Sequence, residues 1–316
     1  MEIRTVAIVG AGTMGPDVAA IFARHGYPVR LNDVNPAALE RAAGAVEAAF
    51  ATLFEGGLMT SADCQAARPR VSYTLDRAEA VAGADFVLEA VPEKLDLKRD
   101  LFRDLEAQVR PDTILASNSS GIPIGRIAEA VQRPERVIGT HWLNQPHVIP
   151  VIEVVQGPTT AEATSSATLD LLRRVGMLPV LIRGNLPGFV HNRILFAVYR
   201  EVLHMLEQGL VSAGDIDNVT KWAVGPKLTA IGPFEMLDVA GLDTYQNIAQ
   251  YLNPELSAGG QVSPAVRERV ERGDLGLKTG KGMFDYPTGQ TAALMRQRRQ
   301  LMLNIVRLRL GRKGGD

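Results

Sequence analysis

Short apolar runs alternate with amphipathic stretches along the first part of the chain. The runs at 5–9, 28–31, 86–89, 113–116 and 136–140 are short and apolar, and they predict buried strands. Between them, apolar positions recur with helical spacing at 13–24, 35–50 and 94–108. This alternation predicts parallel strands joined by crossover helices, which together form a doubly wound α/β sheet.

The pattern changes towards the C-terminus. Two further β-branched runs, at 148–155 and 179–182, flank a helical stretch at 160–174. After Gly184 the patterns at 189–208, 213–222, 241–251 and 264–272 all predict helices, and none predicts a strand. A basic helix with an apolar stripe follows at 292–310, and it is more typical of a helix docked on its own domain than of a membrane-surface helix. We therefore expect an α/β domain at 1–184 and an all-α domain at 185–316.

A glycine-rich turn follows the first predicted strand and opens the first predicted helix. Gly10, Gly12 and Gly15 form a G-x-G-x-x-G pattern in this strand–turn–helix context. The three glycines are typical of a tight turn, of close approach by a diphosphate, and of close packing between helix and strand. The free N–H groups of the helix N-terminus favour an anion. The pattern predicts a dinucleotide-binding Rossmann domain.

An acidic residue indicates which dinucleotide binds. Asp33 follows the second predicted strand, about 20 residues after the first glycine, where a carboxylate accepts hydrogen bonds from the adenosine ribose. The same carboxylate repels a 2′-phosphate, so NAD is favoured over NADP. Arg30 is the nearby residue that argues against this preference.

Composition excludes several classes of function. The 34 basic and 35 acidic residues give a net charge of −1, which favours neither nucleic acid nor an anionic membrane as partner. The one cysteine cannot form an internal disulfide, so we expect a reducing, cytoplasmic location. No apolar stretch reaches 18 residues, and we expect no signal peptide, no membrane span and no metal.

Ligands of such sheets bind beyond the carboxyl ends of the strands. Residues that follow or end the predicted strands are therefore the candidates for catalysis. His141 comes at one such end, and imidazole suits a general base near neutral pH. Glu153 is a lone acid in an apolar run and needs a buried partner. We expect Glu153 to orient His141. His147 is a rival base or a carboxylate-binding residue, whereas His191 and His204 are more typical of solvent-facing or packing positions.

Eight ordered motifs together resemble the 3-hydroxyacyl-CoA dehydrogenase family. They begin with the glycine turn and Asp33, and nearly the whole chain is covered. The others are Glu89-Ala90-Val91-Pro92-Glu93 with Lys98, Ala116-Ser117-Asn118-Ser119-Ser120, Gly139-Thr140-His141-Trp142-Leu143-Asn144, Val151-Ile152-Glu153-Val154-Val155, Pro187-Gly188-Phe189-Val190-His191-Asn192-Arg193, Ile231-Gly232-Pro233-Phe234-Glu235 and Lys278-Thr279-Gly280-Lys281-Gly282.

The resemblance implies an NAD-dependent oxidation of a 3-hydroxy group to a ketone and a homodimer formed through the helical domain. It places the catalytic residues at His141, Glu153, Ser120 and Asn192. It places cofactor contacts at Gly10, Gly12, Thr13, Met14, Gly15, Asp33, Ala90, Val91, Glu93, Lys98 and Asn118. His141 would take the hydroxyl proton, and Ser120 and Asn192 would position the oxygen.

Two departures from the family pattern concern the substrate. The segment 144–150 resembles relatives that act on small free hydroxy acids, such as L-gulonate dehydrogenases, more than it resembles acyl-CoA enzymes. No lysine lies between Glu2 and Glu93 to meet the phosphates of CoA, although Arg68 and Arg70 could replace one. We therefore favour a small 3-hydroxy acid. A CoA or carrier-protein thioester is the alternative within enzymes, and a non-enzymatic NAD-binding protein is the alternative outside them.

Overall fold

Eight strands form one sheet, in the order β3-β2-β1-β4-β5-β6-β7-β8. The computed structural model describes residues 2–287 and 289–311. The strands from β1 to β6 are parallel, β7 runs antiparallel to β6, and β8 runs parallel to β7. Their bounds are Val6–Val9 (β1), Val29–Asn32 (β2), Val71–Thr74 (β3), Phe86–Glu89 (β4), Ile114–Ser117 (β5), Val137–Trp142 (β6), Val151–Gln156 (β7) and Leu178–Arg183 (β8).

Seven helices connect these strands, and short polar caps begin several of them. Asn35 accepts a hydrogen bond from the Ala37 N–H at the start of the second helix, as its Asn-Pro sequence predicts. Thr60 and Asp63 form a reciprocal capping box on the third. The helices are Gly15–Arg24 (α1), Pro36–Glu55 (α2), Ser61–Ala67 (α3), Arg77–Val81 (α4), Leu95–Gln108 (α5), Ile124–Ala128 (α6) and Glu162–Arg174 (α7).

The chain divides into two compact units between Val190 and His191. Among the described residues, the second unit is helical and contains isolated β-bridges at Gly276, Lys281 and Asp285 but no strand. One π-helical turn, Thr220–Val224, joins two of its helices. Helix α8 spans the division, and the others follow it; the bounds are Phe189–Glu207 (α8), Ala213–Val219 (α9), Gly225–Ala230 (α10), Pro233–Ala240 (α11), Leu242–Leu252 (α12), Pro264–Glu271 (α13) and Thr291–Gly311 (α14).

Apolar side chains fill both faces of the sheet. On the face that carries α1, Phe22 packs edge-to-face on Trp142 with ring centroids 5.9 Å apart. The opposite face packs Phe102 and Leu105 of α5 against Val87 and Leu115. Burial on both faces explains why the inner strands are continuous apolar runs.

The predicted fold class is confirmed, with three local corrections. Strand β3 was missed because it is a polar edge strand whose Ser72 and Tyr73 are exposed. Strand β6 continues through Trp142, so His141 lies inside the strand and not after it. The run predicted at 148–155 becomes a strand only at Val151, because 145–149 form a turn closed by hydrogen bonds to the Gln145 carbonyl.

Candidate active site

The turn between β1 and α1 has room for glycine alone at two of its three positions. Gly10 has a φ of 115°, and a Cβ built on it would lie 2.5 Å from the Ala90 carbonyl oxygen. A Cβ on Gly15 would lie 2.1 Å from the Gly10 carbonyl oxygen. The loop after β4, with Ala90 and Val91, thus lies so close to Gly10 that no side chain fits there.

Gly12 differs from the other two glycines, because a Cβ built on it would meet nothing within 4 Å. Helix α1 begins just beyond, and its N-cap residue Met14 makes no side-chain capping hydrogen bond. Open space next to an uncapped helix N-terminus is the cradle that a diphosphate requires. The residues present at this turn, including Thr13, therefore fit the pyrophosphate of NAD.

Asp33 lies at the end of β2, where an adenosine ribose would be recognised. Its two oxygens accept hydrogen bonds from the backbone N–H groups of Ala11 and Asn35, each at 2.9 Å. These bonds fix the carboxylate and leave each oxygen a second lone pair for a ribose hydroxyl. The Arg30 guanidinium donates to the Ala82 carbonyl, so this side chain is held by the backbone of another segment.

We expect Gly12→Ala to abolish tight NADH binding without lowering the melting temperature. The added methyl group meets no protein atom, but it fills the cradle. Gly15→Ala is the contrasting variant, because its Cβ would overlap the Gly10 carbonyl and should destabilise the unit itself. Fluorescence titration with NADH and thermal unfolding measure the two effects. Unchanged NADH affinity in Gly12→Ala would contradict this placement of the diphosphate.

The pair His141 and Glu153 lies on adjacent strands in direct register. β6 and β7 are antiparallel, and His141 is opposite Glu153, which brings their side chains together on one face. His141 Nδ1 lies 2.7 Å from Glu153 Oε2, and both side chains are buried. Because a carboxylate only accepts, Nδ1 carries the hydrogen, and Nε2 is the ring nitrogen that can take a proton.

The first residues of α8 complete the surroundings of this pair. The Val190 N–H donates to Glu153 Oε1 at 2.7 Å, so both carboxylate oxygens are held by N–H donors. Phe189 has a φ of 49° and its buried ring lies 5.4 Å from the imidazole. A non-glycine residue in the left-handed region is strained, and such strain concentrates at functional sites. Sequence reasoning gave Phe189 no role, although it lies in a quoted motif.

Asn118 and Trp142 join the ends of β5 and β6. The Asn118 N–H donates to the Glu89 carbonyl, and its side-chain oxygen accepts from the Trp142 N–H at 3.0 Å. Trp142 itself is packed in the core against Phe22. Asn118 therefore holds the strand end next to His141 in place.

The turn that carries Ser120 is organised around the Glu93 carboxylate. Glu93 Oε1 accepts from the Ser119 hydroxyl and from the N–H groups of Ser120, Gly121 and Ile122, at 2.5 to 3.3 Å. Burial alone raises the pKa of Glu93, but these donors and the Lys98 ammonium together hold it below its ordinary value. Glu93 thus sets the position of Ser120, whose own side chain is exposed.

A buried ion pair supports this turn from below. The Lys98 ammonium is 1% exposed and lies 2.6 Å from Glu89 Oε1 and 3.2 Å from Glu93 Oε2. Glu89 also accepts from the Ser117 hydroxyl and the Val91 N–H. Burial raises the pKa of Glu89 against the effect of these partners. Lys98 therefore holds Glu89 and Glu93 in place, and through Glu93 it supports the Ser120 turn.

The other predicted residues fall in different places. Asn192 lies in the first turn of α8, beyond the division between the units. His147 lies in the turn after β6, with its Nδ1 3.2 Å from Asp17 Oδ2 of α1.

Within residues 2–287 and 289–311, no three His, Cys, Asp or Glu side chains come together as metal ligands would. The same residues include no helix that could cross a membrane.

Two family models match the chain. The 3-hydroxyacyl-CoA dehydrogenase NAD binding domain matches residues 5–185, and the C-terminal domain of the same enzymes matches residues 188–286. The first model covers most of the first compact unit, and the second covers most of the part of the second unit that precedes α14.

Known proteins similar to the chain include enzymes with two kinds of substrate. A 5-formyl-3-hydroxy-2-methylpyridine 4-carboxylate 5-dehydrogenase of Mesorhizobium japonicum is 42% identical over 98% of this chain and all of its own length. A crystal structure of a dehydrogenase of this name, described as an NAD+-dependent dismutase, has a TM-score of 0.92 at 41% identity and covers 99% of this chain and all of its own. A probable 3-hydroxybutyryl-CoA dehydrogenase of Bacillus subtilis is 35% identical over 90% of this chain and 98% of its own.

Proposed function

This chain belongs to the 3-hydroxyacyl-CoA dehydrogenase family, and we propose that it oxidises the hydroxyl of a small free hydroxy acid with His141 as general base. It is an NAD-dependent oxidoreductase of CH–OH groups, as its relatives are. The observation that carries the proposal is the 2.7 Å contact between His141 Nδ1 and Glu153 Oε2. It gives the ring a fixed tautomer and a charge that stabilises the imidazolium.

Each site residue has one task in this proposal. NAD, when bound, supplies the acceptor for the hydride of the carbinol carbon. His141 Nε2 takes the hydroxyl proton, and Glu153 holds the ring. Ser120, on the turn fixed by Glu93, donates a hydrogen bond to the substrate oxygen. Asn192 is assigned a second such bond through the family motif.

The charge of the α2–α3 segment supports a free acid over a CoA thioester. Residues 35–67 carry one arginine against four carboxylates, namely Arg41 against Glu40, Glu47, Glu55 and Asp63. The two arginines that could have bound CoA phosphates, Arg68 and Arg70, make hydrogen bonds to other groups of the protein. Arg68 Nε contacts both oxygens of Glu47, and Arg70 donates to the Ala23 carbonyl. An acidic surface disfavours the phosphates of CoA.

A second candidate substrate is a hydrated aromatic aldehyde that carries a carboxylate. One observation favours it. The similarity to the Mesorhizobium japonicum enzyme extends over 98% of this chain, whereas the family models end before α14. A hydrated formyl group has a hydroxyl on a carbon that bears hydrogen, so the same base and the same acceptor oxidise it to a carboxylate.

A substrate panel tests the proposal. We expect kcat/KM to be at least tenfold higher for one of the free acids (gulonate, carnitine, 3-hydroxybutyrate) than for 3-hydroxybutyryl-CoA. The fifth compound is 5-formyl-3-hydroxy-2-methylpyridine 4-carboxylate, and a preference for it would select the second candidate. A preference for the thioester would contradict both. NADH formation at 340 nm measures all five.

We also propose a homodimer formed through the helical unit and a cytoplasmic location. The helical unit supports the first, because α8 exposes Ile194 and Phe196 by 57% and 66%. Sedimentation at micromolar concentration tests it, and a monomer would contradict it. The single buried cysteine supports the second.

A further inference from the structure

An acidic residue lies in the first turn of the helix where we expect the cofactor diphosphate, and its negative charge would repel the diphosphate. Asp17 is in the first turn of α1, the helix whose N-terminus faces the Gly12 cradle. A carboxylate at this position stabilises the helix dipole but competes with any other anion bound there. The neighbouring Pro16 has no N–H, so the helix offers one donor fewer to an anion than usual.

The structure pairs Asp17 with a histidine from the active-site side. His147 Nδ1 lies 3.2 Å from Asp17 Oδ2, and the His147 side chain is 6% exposed. Among the described residues, neither ring nitrogen of His147 makes a hydrogen bond of good geometry. A buried imidazole without hydrogen bonds is costly, so the adjacent carboxylate is its main compensation.

The turn that carries His147 is itself strained. Gln145 has a φ of 61°, and the N–H groups of Val148 and Ile149 both donate to its carbonyl. The Gln145 side-chain oxygen is also buried without a partner in the described chain. The turn therefore holds His147 against α1 at a cost to its own backbone and polar groups.

We propose that His147 is a positioning residue for the cofactor, which acts by pairing with Asp17. In its protonated form the imidazole offsets the Asp17 charge, so that the N-terminus of α1 and the Gly12 cradle can receive a diphosphate. The pair also connects the cofactor helix to the strand of His141, six residues earlier in the chain. The inference rests on NAD binding at the Gly12 cradle and not on the identity of the substrate.

Because only one of the two residues repels the diphosphate, the two single variants should differ in their effect on NADH binding. His147→Gln leaves Asp17 uncompensated near the diphosphate, and we expect the Kd for NADH to rise about five- to tenfold, as for one unscreened charge several ångströms away. Asp17→Asn removes the repulsion, so its Kd stays equal to the wild-type value or falls. The double variant Asp17→Asn/His147→Gln should bind within about twofold of Asp17→Asn.

Fluorescence titration of each protein with NADH at pH 6.0 and low ionic strength measures these constants. The matched control is His25→Gln, which changes a half-buried histidine at the other end of α1, bonded to the Ile21 carbonyl. Its Kd should equal that of the wild type. The His147→Gln effect should shrink in 0.5 M salt, because screening weakens the repulsion.

Three results would overturn the inference. They are an unchanged Kd in His147→Gln, an equal loss of affinity in Asp17→Asn and His147→Gln, and a double variant as weak as His147→Gln. The second result would mean that the pair has only a structural role, and thermal unfolding of the same proteins would then show an equal loss of stability in both variants. Absence of NADH binding by the wild type would instead contradict the cofactor site and the proposed function with it.

Discussion

His141→Gln should lower kcat about 10²- to 10⁴-fold and leave the Kd for NADH within about twofold of wild type. Glutamine keeps a polar side chain next to Glu153, but it cannot accept the hydroxyl proton. Cofactor affinity should survive because Gly12 lies in the turn between β1 and α1 and Asp33 follows β2, whereas His141 belongs to β6. Steady-state rates and NADH titration measure the two quantities.

Glu153→Gln separates the base from the group that orients it. The imidazole stays in place, but the charge that stabilises the imidazolium is lost, so we expect a fall in kcat that is smaller than for His141→Gln. The matched control is Glu162→Gln, at the exposed start of α7, which should retain full activity. Full turnover in His141→Gln would remove His141 from the reaction.

Lys98→Met should lower the free energy of unfolding by about 3–5 kcal/mol, the largest loss of stability that we expect from one side chain. Methionine fills a similar volume, but it leaves the fully buried Glu89 carboxylate without its cation. Glu93 loses the same partner, so the Ser120 turn should loosen as well. The control is Lys94→Met, an exposed residue four positions earlier, which should change stability by at most about 0.5 kcal/mol.

The pH dependence of this loss identifies its cause. Without Lys98, burial should raise the pKa of Glu89 further above its unfolded value of about 4.3. The folded state then retains a proton that the unfolded state releases, so stability falls as pH rises through that window, by up to about 1.4 kcal/mol per unit. Urea unfolding of both variants from pH 4 to 8 measures this. A Lys98→Met loss no larger than that of Lys94→Met would contradict the role of the pair.

The sequence contains enough information for the geometry of the glycine turn, where we propose that NAD binds. Gly10 and Gly15 are glycines because backbone atoms occupy the space of a side chain, and such a requirement leaves a direct trace in the sequence. Asp33 is equally local, since it follows β2. The lone acid Glu153 in an apolar run predicted a buried partner, and the structure supplies His141.

Other parts of the site depend on contacts between distant segments. The His141–Glu153 contact requires the antiparallel register of β6 and β7, which neither strand encodes alone. The donors around Glu93 come from residues 26 to 29 positions later, so the sequence predicts Glu93 only as a cofactor contact and not as the acceptor that organises this turn. The strained φ of Phe189 and the approach of His147 to Asp17 likewise arise from tertiary packing.

The central claim is that the imidazole of His141 takes the substrate proton in the step that reduces NAD. Single-turnover oxidation of the preferred substrate, with enzyme in excess and NAD saturating, measures this step without product release. We predict rapid NADH formation in the wild type and a rate at least 100-fold lower in His141→Gln, at equal NAD occupancy. Equal single-turnover rates in the two proteins would contradict the claim.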